Sequence, residues 1–434
     1  MDDVLNELQL QDVEILSKKL VDGVLYYEVS PKNRPDCCPR CQSTHISKNG
    51  RAARELMDSY LHDTPVVICV RSNRFICAKC GKSITNSISF AKKGGKTTAR
   101  LRAQIKKRCL DWSIKQLKEE YGVSVRTIST ITAEHIAELE SKWTYYTPNI
   151  LGLSNVKIGK NTRVLCLDVE RNGIIDILEK SDKDSLTTYF TNNLDFSKLD
   201  TAVIGFNDVH RGALRNACDY LRIAIDKRYV LERTLSATRS ELRGVDSKIV
   251  NLILRNPYNL LPSERDQLLA ALDEDKRLKR INDVKNKIYD MYQCHTQASA
   301  GEIFEGVYDE VLFFEKDVYL IDLVQLIDSF SEEVFNFFDA NYSGMSIGNA
   351  VKLVKSVEKK GNGYSFKTLR ARLLFGQKAA KATKTVYTSG GDSFGLMTGH
   401  HNFNRGSSSR EEFLGNYAPL DALLEQWGED EDIE

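Results

Sequence analysis

Four of the ten cysteines stand in two close pairs, Cys38 with Cys41 and Cys77 with Cys80. Two residues separate the members of each pair, so both thiolates can bind one ion from a single turn, and two such turns complete a closed tetrahedral site. A closed site has no open coordination position, so the Zn²⁺ that the spacing predicts is structural rather than catalytic. The alternative, four reduced and buried thiols without metal, stays open.

Two strand-like apolar runs, residues 66–70 and 74–78, follow the first pair, and the second run includes Cys77. Together they predict a hairpin that separates the two turns. Cys69 belongs to the first run and is expected in the core, whereas Cys37 and His45 are expected to be bystanders of the metal site. We therefore predict a zinc ribbon over residues 35–90, preceded by an N-terminal segment at 1–34.

The charges along the chain are segregated, although the net charge is only +1. Residues 31–110 contain 18 basic and 4 acidic residues, and the last fourteen residues contain seven acids and no base. A basic region of this size predicts a polyanionic partner, most simply nucleic acid. A solvated basic surface without a partner is the alternative.

Residues 91–145 predict a helix-turn-helix that binds DNA. An apolar face ends at Tyr121, Gly122 permits a left-handed turn residue, and Ser124 can cap a second helix. The exposed face of that second helix is where a recognition helix contacts the major groove. An ordinary helical hairpin is the alternative. The residues predicted to contact DNA in this half of the chain are Arg40, Arg51, Arg71, Arg74, Lys92, Lys93, Lys96, Arg100, Ser124, Arg126, Thr127 and Ser129.

The pattern changes after residue 150. Short apolar strands alternate with helical stretches over residues 150–231, which predicts an α/β domain. Residues 232–340 are charged and amphipathic and predict helices, whose apolar residues form either a bundle core or a surface for dimerisation or DNA ends. Residues 341–376 contain a basic helix with four further predicted DNA contacts, Lys352, Lys355, Lys359 and Lys360. Residues 377–434 predict a Gly/Ser/Thr-rich linker followed by an acidic tail.

Composition excludes several classes of protein. No apolar run reaches the length of about 18 residues that a membrane-spanning helix needs, so no membrane association is predicted. Aromatic residues make up 9% of the chain, too many for a largely disordered protein. The acidic start, MDDVLNELQL, lacks a signal-peptide pattern. We expect a cytoplasmic, nucleoid-associated protein whose cysteines are reduced.

The order of these segments resembles bacterial ISL3-type insertion-sequence transposases over roughly residues 35–376. The specific strings are Leu-Gly-Leu at 151–153, Asp-Lys-Arg-Tyr-Val at 226–230 and Lys-Lys-Gly-Asn-Gly-Tyr at 359–364. The second string is similar to the family's Asp-Lys-Phe-His-Val, and Asn-Pro-Tyr-Asn-Leu at 256–260 is similar to a short turn in the family's helical insert. The resemblance implies a multidomain α+β protein with a ribonuclease-H-like core that the helical insertion interrupts. It divides the core into residues 150–231 and 341–376.

The resemblance also implies two aspartates and a glutamate that hold two divalent ions for DNA cleavage and strand transfer. The family's first carboxylate matches Ser154. Counting back from Asp226 places the second at Gly205, and counting from the Gly-Tyr pair, or forward from Tyr342, places the third at Gly348. All three matched positions lack a carboxylate, which predicts that the cleavage site is lost.

Two other interpretations of the site remain. The first is an active Mg²⁺-dependent transposase that uses the nearby acids Asp168, Asp208 and Glu358. The second is an unusual site built on His210, Asp208 and Asp226. RNA binding through the ribbon is a third functional class, which would show as aromatic stacking on single strands, and little in residues 31–137 predicts it.

The sequence therefore predicts a double-stranded-DNA-binding protein derived from a transposase, with structural Zn²⁺ and with Mg²⁺ only in the active alternative. It would act as a repressor, an architectural factor or a targeting subunit. Further expected partners are a second copy of the chain and a protein bound through the acidic tail.

Overall fold

The computed structural model describes residues 2–314, 316–340, 345–361, 364–376 and 418–419. The chain divides into two compact units, Met1–Lys142 and Trp143–Glu434, which we call the N-terminal and C-terminal units. The predicted linker and acidic tail of residues 377–434 lie outside the described residues except for 418–419. No helix in the part of the chain that the structure describes is long and apolar enough to cross a membrane.

The N-terminal unit places five strands before its main helices. Its elements are α1 (Asp2–Glu7), β1 (Val13–Val21), β2 (Val24–Pro31), β3 (Ile46–Leu61), β4 (Thr64–Cys77), β5 (Ser83–Thr85), α2 (Ala99–Arg108), α3 (Ile114–Tyr121) and α4 (Val125–Glu140).

The sheet of the N-terminal unit has the order β1-β2-β4-β3, with β5 paired to β4. The predicted hairpin between residues 66–70 and 74–78 is wrong, because both runs belong to the single long strand β4, which ends at Cys77. This strand instead pairs antiparallel with β3, and the open end of the β3–β4 hairpin pairs Ile46 with Cys77. The sheet extends beyond the predicted ribbon of residues 35–90, because β2 pairs with β4 in parallel from Leu25 opposite Val66 onward. Leu56, Ile68 and other alternate residues of the hairpin are fully buried and form the core of this sheet.

The C-terminal unit alternates strands and helices up to β10, and the described residues from 227 to 376 then form helices and the short segments that join them. Its elements are β6 (Ile150–Ile158), β7 (Asn161–Asp168), β8 (Gly173–Leu178), α5 (Lys183–Asn193), β9 (Thr201–Ile204), α6 (Asp208–Ala217), β10 (Arg222–Ile225), α7 (Lys227–Glu241), α8 (Ser247–Leu254), α9 (Pro262–Glu274), α10 (Lys276–Met291), α11 (Gln297–Phe313), α12 (Val318–Ser329), α13 (Ser331–Phe335), α14 (Met345–Gly361), α15 (Phe366–Phe375) and β11 (Ala418–Pro419).

The second sheet has the order β10-β9-β6-β7-β8-β11. The first three strands of this unit, β6, β7 and β8, pair antiparallel, whereas β9 and β10 run parallel to β6. The strand-and-helix alternation predicted for residues 150–231 is thereby confirmed.

The two faces of this sheet bury different cores because successive strand residues point to opposite faces. Leu151 and Leu153 of β6 belong to a core cluster that also contains residues of α5, α6 and the helical insertion. Ile150 and Val156 pack with α14 and α15 on the other face.

The prediction that residues 232–340 are helical is confirmed by α7 to α13, which follow β10 in the chain. Many apolar residues of this segment belong to the core, including Leu252, Leu272, Leu323 and Phe330. These positions support the bundle-core interpretation of the insertion. Phe313 differs, since 80% of its surface is exposed.

Candidate functional site

The four paired cysteines form one cluster in the N-terminal unit. Their sulfur atoms all lie within 4.8 Å of one another, and Cys38 Sγ is 3.6 Å from Cys80 Sγ. Cys41 Sγ is also 3.6 Å from Cys77 Sγ. Bonds of 2.3 Å to a tetrahedral zinc ion separate two sulfur atoms by about 3.8 Å, so the cluster fits Zn²⁺. The predicted convergence of both pairs is confirmed, and these residues could hold structural zinc.

Each pair of cysteines is held by a tight backbone turn at the base of the β3–β4 hairpin. The first turn closes when Gln42 N donates to Cys38 O, and the second closes when Gly81 N donates to Cys77 O, each at 2.9 Å. Gly81 has a φ of 69°, a left-handed conformation that glycine adopts without strain. The pKa of Cys77 is lowered to about 6, chiefly because the Cys80 amide donates to its sulfur, although burial opposes this effect. A readily ionised thiol suits a metal ligand.

The cysteines outside the pairs do not join the cluster. Cys37 Sγ instead donates to Gln42 Oε1 at 3.3 Å. Cys69 lies in β4 and is half-buried, and burial raises the pKa of its thiol. Within the described residues, the four paired cysteines are the one group of three or more His, Cys, Asp or Glu side chains placed to hold a metal ion.

Helices α3 and α4 meet through a short turn with well-defined caps. Ser113 and Gln116 form a reciprocal capping box at the start of α3, and Gly122 ends this helix with a φ of 65°. Ser124 then caps α4 by accepting from Thr127 N. Sequence and structure agree here because each signal is local and depends on backbone groups at helix ends.

One face of α4 is buried and the other is exposed. Ile128 and Ile131 have no exposed surface, whereas Ser124, Arg126 and Ser129 are exposed. The face expected to contact DNA is therefore open to solvent over the first two turns. Thr127 is half-buried, and its hydroxyl lies 2.9 Å from the Ser124 hydroxyl.

Three of the basic residues predicted to contact DNA form ion pairs within the protein. Arg100 pairs with the fully buried carboxylate of Asp58 at 3.0 Å and also donates to Ser59 O at 2.7 Å. We therefore assign Arg100 to the folding of the N-terminal unit, because a buried carboxylate needs its partner. Arg71 pairs with Glu28 and Lys92 with Glu134, both mainly at the surface.

Arg40, Arg51, Arg74, Lys93 and Lys96 are exposed in the N-terminal unit. Lys352, Lys355, Lys359 and Lys360 are exposed on α14.

The three positions at which the resemblance predicts carboxylates converge in the C-terminal unit on two consecutive residues, Arg228 and Tyr229. Ser154 on β6 has its hydroxyl 3.1 Å from the Tyr229 hydroxyl. A side chain at Gly205, just after β9, would place its Cβ 3.2 Å from the Tyr229 ring. A Cβ at Gly348, in α14, would overlap Arg228 Nη1.

Arg228 and Tyr229 are held in this position by the start of α7. Asp226 caps the helix by accepting from Arg228 N at 2.8 Å. The guanidinium lies 5.0 Å from the centre of the Tyr229 ring, and its Nε is 3.7 Å from Glu232 Oε1. A phenol ring and a guanidinium cation therefore fill the space between the three positions.

These residues do not fit a pair of divalent metal ions. Magnesium binds to oxygen ligands, and carboxylates are the ligands that neutralise its charge. The positively charged guanidinium of Arg228 would repel it. Glycine side chains provide no ligand at two of the three positions, and serine provides one neutral hydroxyl.

The alternative acids do not come together either. Asp168 of β7 lies opposite Leu151 in the strand register, near the start of β6. The carboxylate of Glu358 instead accepts from the amide of Gly159, just beyond the other end of β6. Eight residues of strand separate these two ends, a distance of about 26 Å. Asp208 is exposed and pairs with Arg211 at 2.5 Å. An active site of shifted acids needs three acids near one point, and these three side chains do not provide it.

The site built on His210, Asp208 and Asp226 also lacks convergence into a metal cluster among the described residues. His210 Nε2 lies 3.0 Å from Asn155 Oδ1, and burial lowers the pKa of this histidine to about 4. Asp226 is buried, and burial raises the pKa of its carboxyl. Asp226 caps α7, and His210 contacts Asn155. Both contacts are structural.

Sequence reasoning did not assign Arg228 and Tyr229 to the site, although both belong to the string that resembles the family's Asp-Lys-Phe-His-Val. The signal was the departure from Phe-His to Arg-Tyr within that string. The role of this departure follows from the fold, which places both side chains between the three positions where carboxylates are missing.

Comparison with known proteins agrees with this architecture. No curated protein matches the chain. A family model described as a transposase, of the ISL3-type DDE group, matches residues 154–373, just over half of the chain. The match begins at Ser154 and includes Gly205, the whole helical insertion and Gly348. The chain belongs to the ISL3-type transposase family.

Proposed function

We propose that this protein binds specific sites in double-stranded DNA and has lost the cleavage activity of its transposase ancestors. One observation carries the proposal: Arg228 and Tyr229 fill the space between Ser154, Gly205 and Gly348. Two-metal chemistry needs acids that neutralise paired divalent ions, and this place contains a cation instead.

The strand order supports a ribonuclease-H-like core. Three antiparallel strands come first, and two strands parallel to β6 then extend the opposite side of the sheet. The three positions that match the family's carboxylates lie on β6 (Ser154), at the end of β9 (Gly205) and on α14 (Gly348), and all three positions meet Arg228 or Tyr229.

Two regions of the N-terminal unit support DNA recognition. The cysteine cluster stabilises the end of the β3–β4 hairpin, near the exposed Arg74 and Arg40. The exposed face of α4 carries Arg126 beside small hydroxyl side chains, which suits contact with base edges and phosphates. We propose that α4 is the recognition helix of a helix-turn-helix and that the hairpin binds the adjoining backbone.

A DNA-binding protein without cleavage would act as a repressor, an architectural factor or a targeting subunit in the cytoplasm. Dimerisation and a partner for the acidic tail remain part of this proposal. An active transposase is the second candidate, but the separation of Asp168 from Glu358 weighs against it.

The test combines binding and cleavage in one sample. Purified protein is incubated with duplex DNA from its own locus and Mg²⁺ or Mn²⁺, and gel shift and nicking are scored together. Specific binding without nicking is expected. The variant Arg126→Ala serves as the control, because nicking that persists without binding would come from a contaminating nuclease.

Nicking that requires DNA binding and disappears in Asp168→Asn or Asp208→Asn would overturn the proposal. That result would mean that acids distant from Arg228 form the working site. Absence of any DNA binding by the wild-type protein would also contradict it.

A further inference from the structure

The place where the family holds metal ions carries positive charge in this chain. Arg228 Nη1 lies against Gly348 of α14, and the ring of Tyr229 supports the guanidinium from the side. Tyr229 is in turn held by the Ser154 hydroxyl at 3.1 Å. Ser154 and Tyr229 thus act as positioning residues that fix the direction of a cation.

A line of lysines continues from this point along α14. Lys352, Lys355 and Lys359 follow Gly348 by four, seven and eleven residues. At about 100° per residue these spacings place all four positions within about 40° of one helix face. The line is about 16 Å long, and because Gly348 meets Arg228, it begins at the guanidinium.

The acids near this cationic line leave it available to an anion. Glu232 is 63% exposed and approaches Arg228 Nε only to 3.7 Å, so this pair is weak. Asp226 uses Oδ1 to cap the backbone of α7. Glu358 is turned about 80° from the lysine face and accepts from the Gly159 amide.

We propose that Arg228 and the Lys352–Lys355–Lys359 face of α14 bind the phosphate backbone of duplex DNA without a divalent ion. The former cation site has become an anion site, in which the guanidinium takes one phosphate and the lysines take its neighbours along the strand. One strand carries a phosphate per 3.4 Å of duplex axis and winds around that axis, so a straight face of about 16 Å can reach only some of the roughly five phosphates in that axial length. This inference deepens the proposed function and depends on it.

The test measures how the affinity of the full-length protein for a labelled duplex from its own locus depends on salt. Removing one phosphate-binding side chain lowers the slope of log affinity against log salt by about 0.9. Arg228→Gln should therefore reduce the slope by about one and bind several-fold more weakly at low salt, whereas Arg228→Lys should keep the wild-type slope. Addition of EDTA should leave the DNA affinity of the wild-type protein unchanged. A zinc assay on the same samples must show that the structural zinc stays bound.

Arg233→Gln is the matched control. Arg233 is exposed on the same helix, five residues after Arg228, and therefore faces about 140° away. An equal slope for Arg228→Gln, Arg233→Gln and the wild-type protein would overturn the inference while the proposed function stood. Thermal melting of each variant separates a direct effect on DNA binding from an effect on folding. Lys352→Gln is a second test variant, which leaves Arg228 in place and should also lower the slope.

The two proposals fail in different ways. Nicking by the wild-type protein, or no DNA binding at all, contradicts the proposed function. Normal binding with a slope that ignores Arg228 and Lys352 contradicts the anion site alone.

Discussion

The hydroxyl of Tyr229 lies 3.1 Å from the hydroxyl of Ser154, although 75 residues separate them in the chain. The contact joins the middle of β6 to the first turn of α7, and the same tyrosine ring covers Gly205. One side chain therefore meets two of the three positions where carboxylates are missing, and its neighbour Arg228 meets the third.

A glycine at position 348 is explained by Arg228. Glycine in a helix is less favourable than alanine by about 1 kcal/mol, yet a Cβ at Gly348 would overlap Arg228 Nη1. We predict that Gly348→Ala fails to stabilise the wild-type protein because the guanidinium must move. In an Arg228→Ala background the same change should stabilise by up to about 1 kcal/mol.

Urea unfolding of the four proteins in this cycle measures the coupling. The idea is wrong if Gly348→Ala has the same effect in both backgrounds. Gly301→Ala is the control, since a Cβ at helical Gly301 would meet nothing within 4 Å and should behave alike in both.

Removal of zinc should unfold the base of the β3–β4 hairpin. We predict that Cys77→Ser loses the bound zinc and becomes sensitive to protease within the N-terminal unit, because the cluster joins the segment before β3 to the end of β4. Cys69→Ser removes a half-buried thiol from the same strand and should keep its zinc. Zinc content by atomic absorption decides the matter, and retention of a full equivalent by Cys77→Ser would exclude the four-thiolate site.

Sequence predicted the features that depend on neighbouring residues. The metal cluster follows from the two-residue spacing of each cysteine pair, and the α3–α4 turn follows from Ser113, Gly122 and Ser124 acting on adjacent backbone groups. Such signals remain valid whatever the rest of the chain does.

Features that depend on distant contacts could not be predicted in this way. The role of Arg228 became apparent only after the fold brought β6, β9 and α14 around it. Charge counting likewise could not distinguish Arg100, which pairs with buried Asp58, from exposed arginines such as Arg51. The separation of Asp168 from Glu358 required the register of β6 and β7.

Arg126 should contribute to DNA affinity without contributing to folding. It is exposed in the first turn of α4, and its loss should weaken specific binding roughly 10- to 100-fold. The melting temperature should stay near that of the wild-type protein. Lys19→Ala on β1 removes the same charge from an exposed strand position and should leave affinity almost unchanged; equal losses in the two variants would indicate a general charge effect.

Stability should fall on acidification through His210. Burial lowers its pKa to about 4, below the value of about 6.5 in an unfolded chain. The unfolded state therefore binds more protons between these two values, and the stability that neutral His210 provides is lost as the pH falls from about 6.5 to about 4. The full effect is about 3 kcal/mol.

Urea unfolding at neutral pH and near pH 5 should show a smaller loss for His210→Gln than for the wild-type protein. The comparison between proteins is needed because the raised pKa values of Asp168 and Asp226 act in the opposite direction. Identical pH dependence in both proteins would mean that His210 is not the group that titrates.

Restoring the three carboxylates should not by itself restore a metal site. In the triple variant Ser154→Asp, Gly205→Asp and Gly348→Glu, the new side chains meet the Tyr229 ring and the Arg228 guanidinium. The cation also opposes a divalent ion placed among them. We therefore predict weak Mn²⁺ binding and no nicking by this variant.

Two further changes should remove the obstruction. Adding Arg228→Phe and Tyr229→His to the triple variant installs the residues that the family has at these positions and takes away the cation and the phenol. Electron paramagnetic resonance of Mn²⁺ should then show much tighter binding by the five-residue variant than by the triple variant. The variant with Arg228→Phe and Tyr229→His alone is the matched control. If the triple variant binds Mn²⁺ as tightly as the five-residue variant, Arg228 and Tyr229 do not block the site, and the loss of activity rests on the missing carboxylates alone.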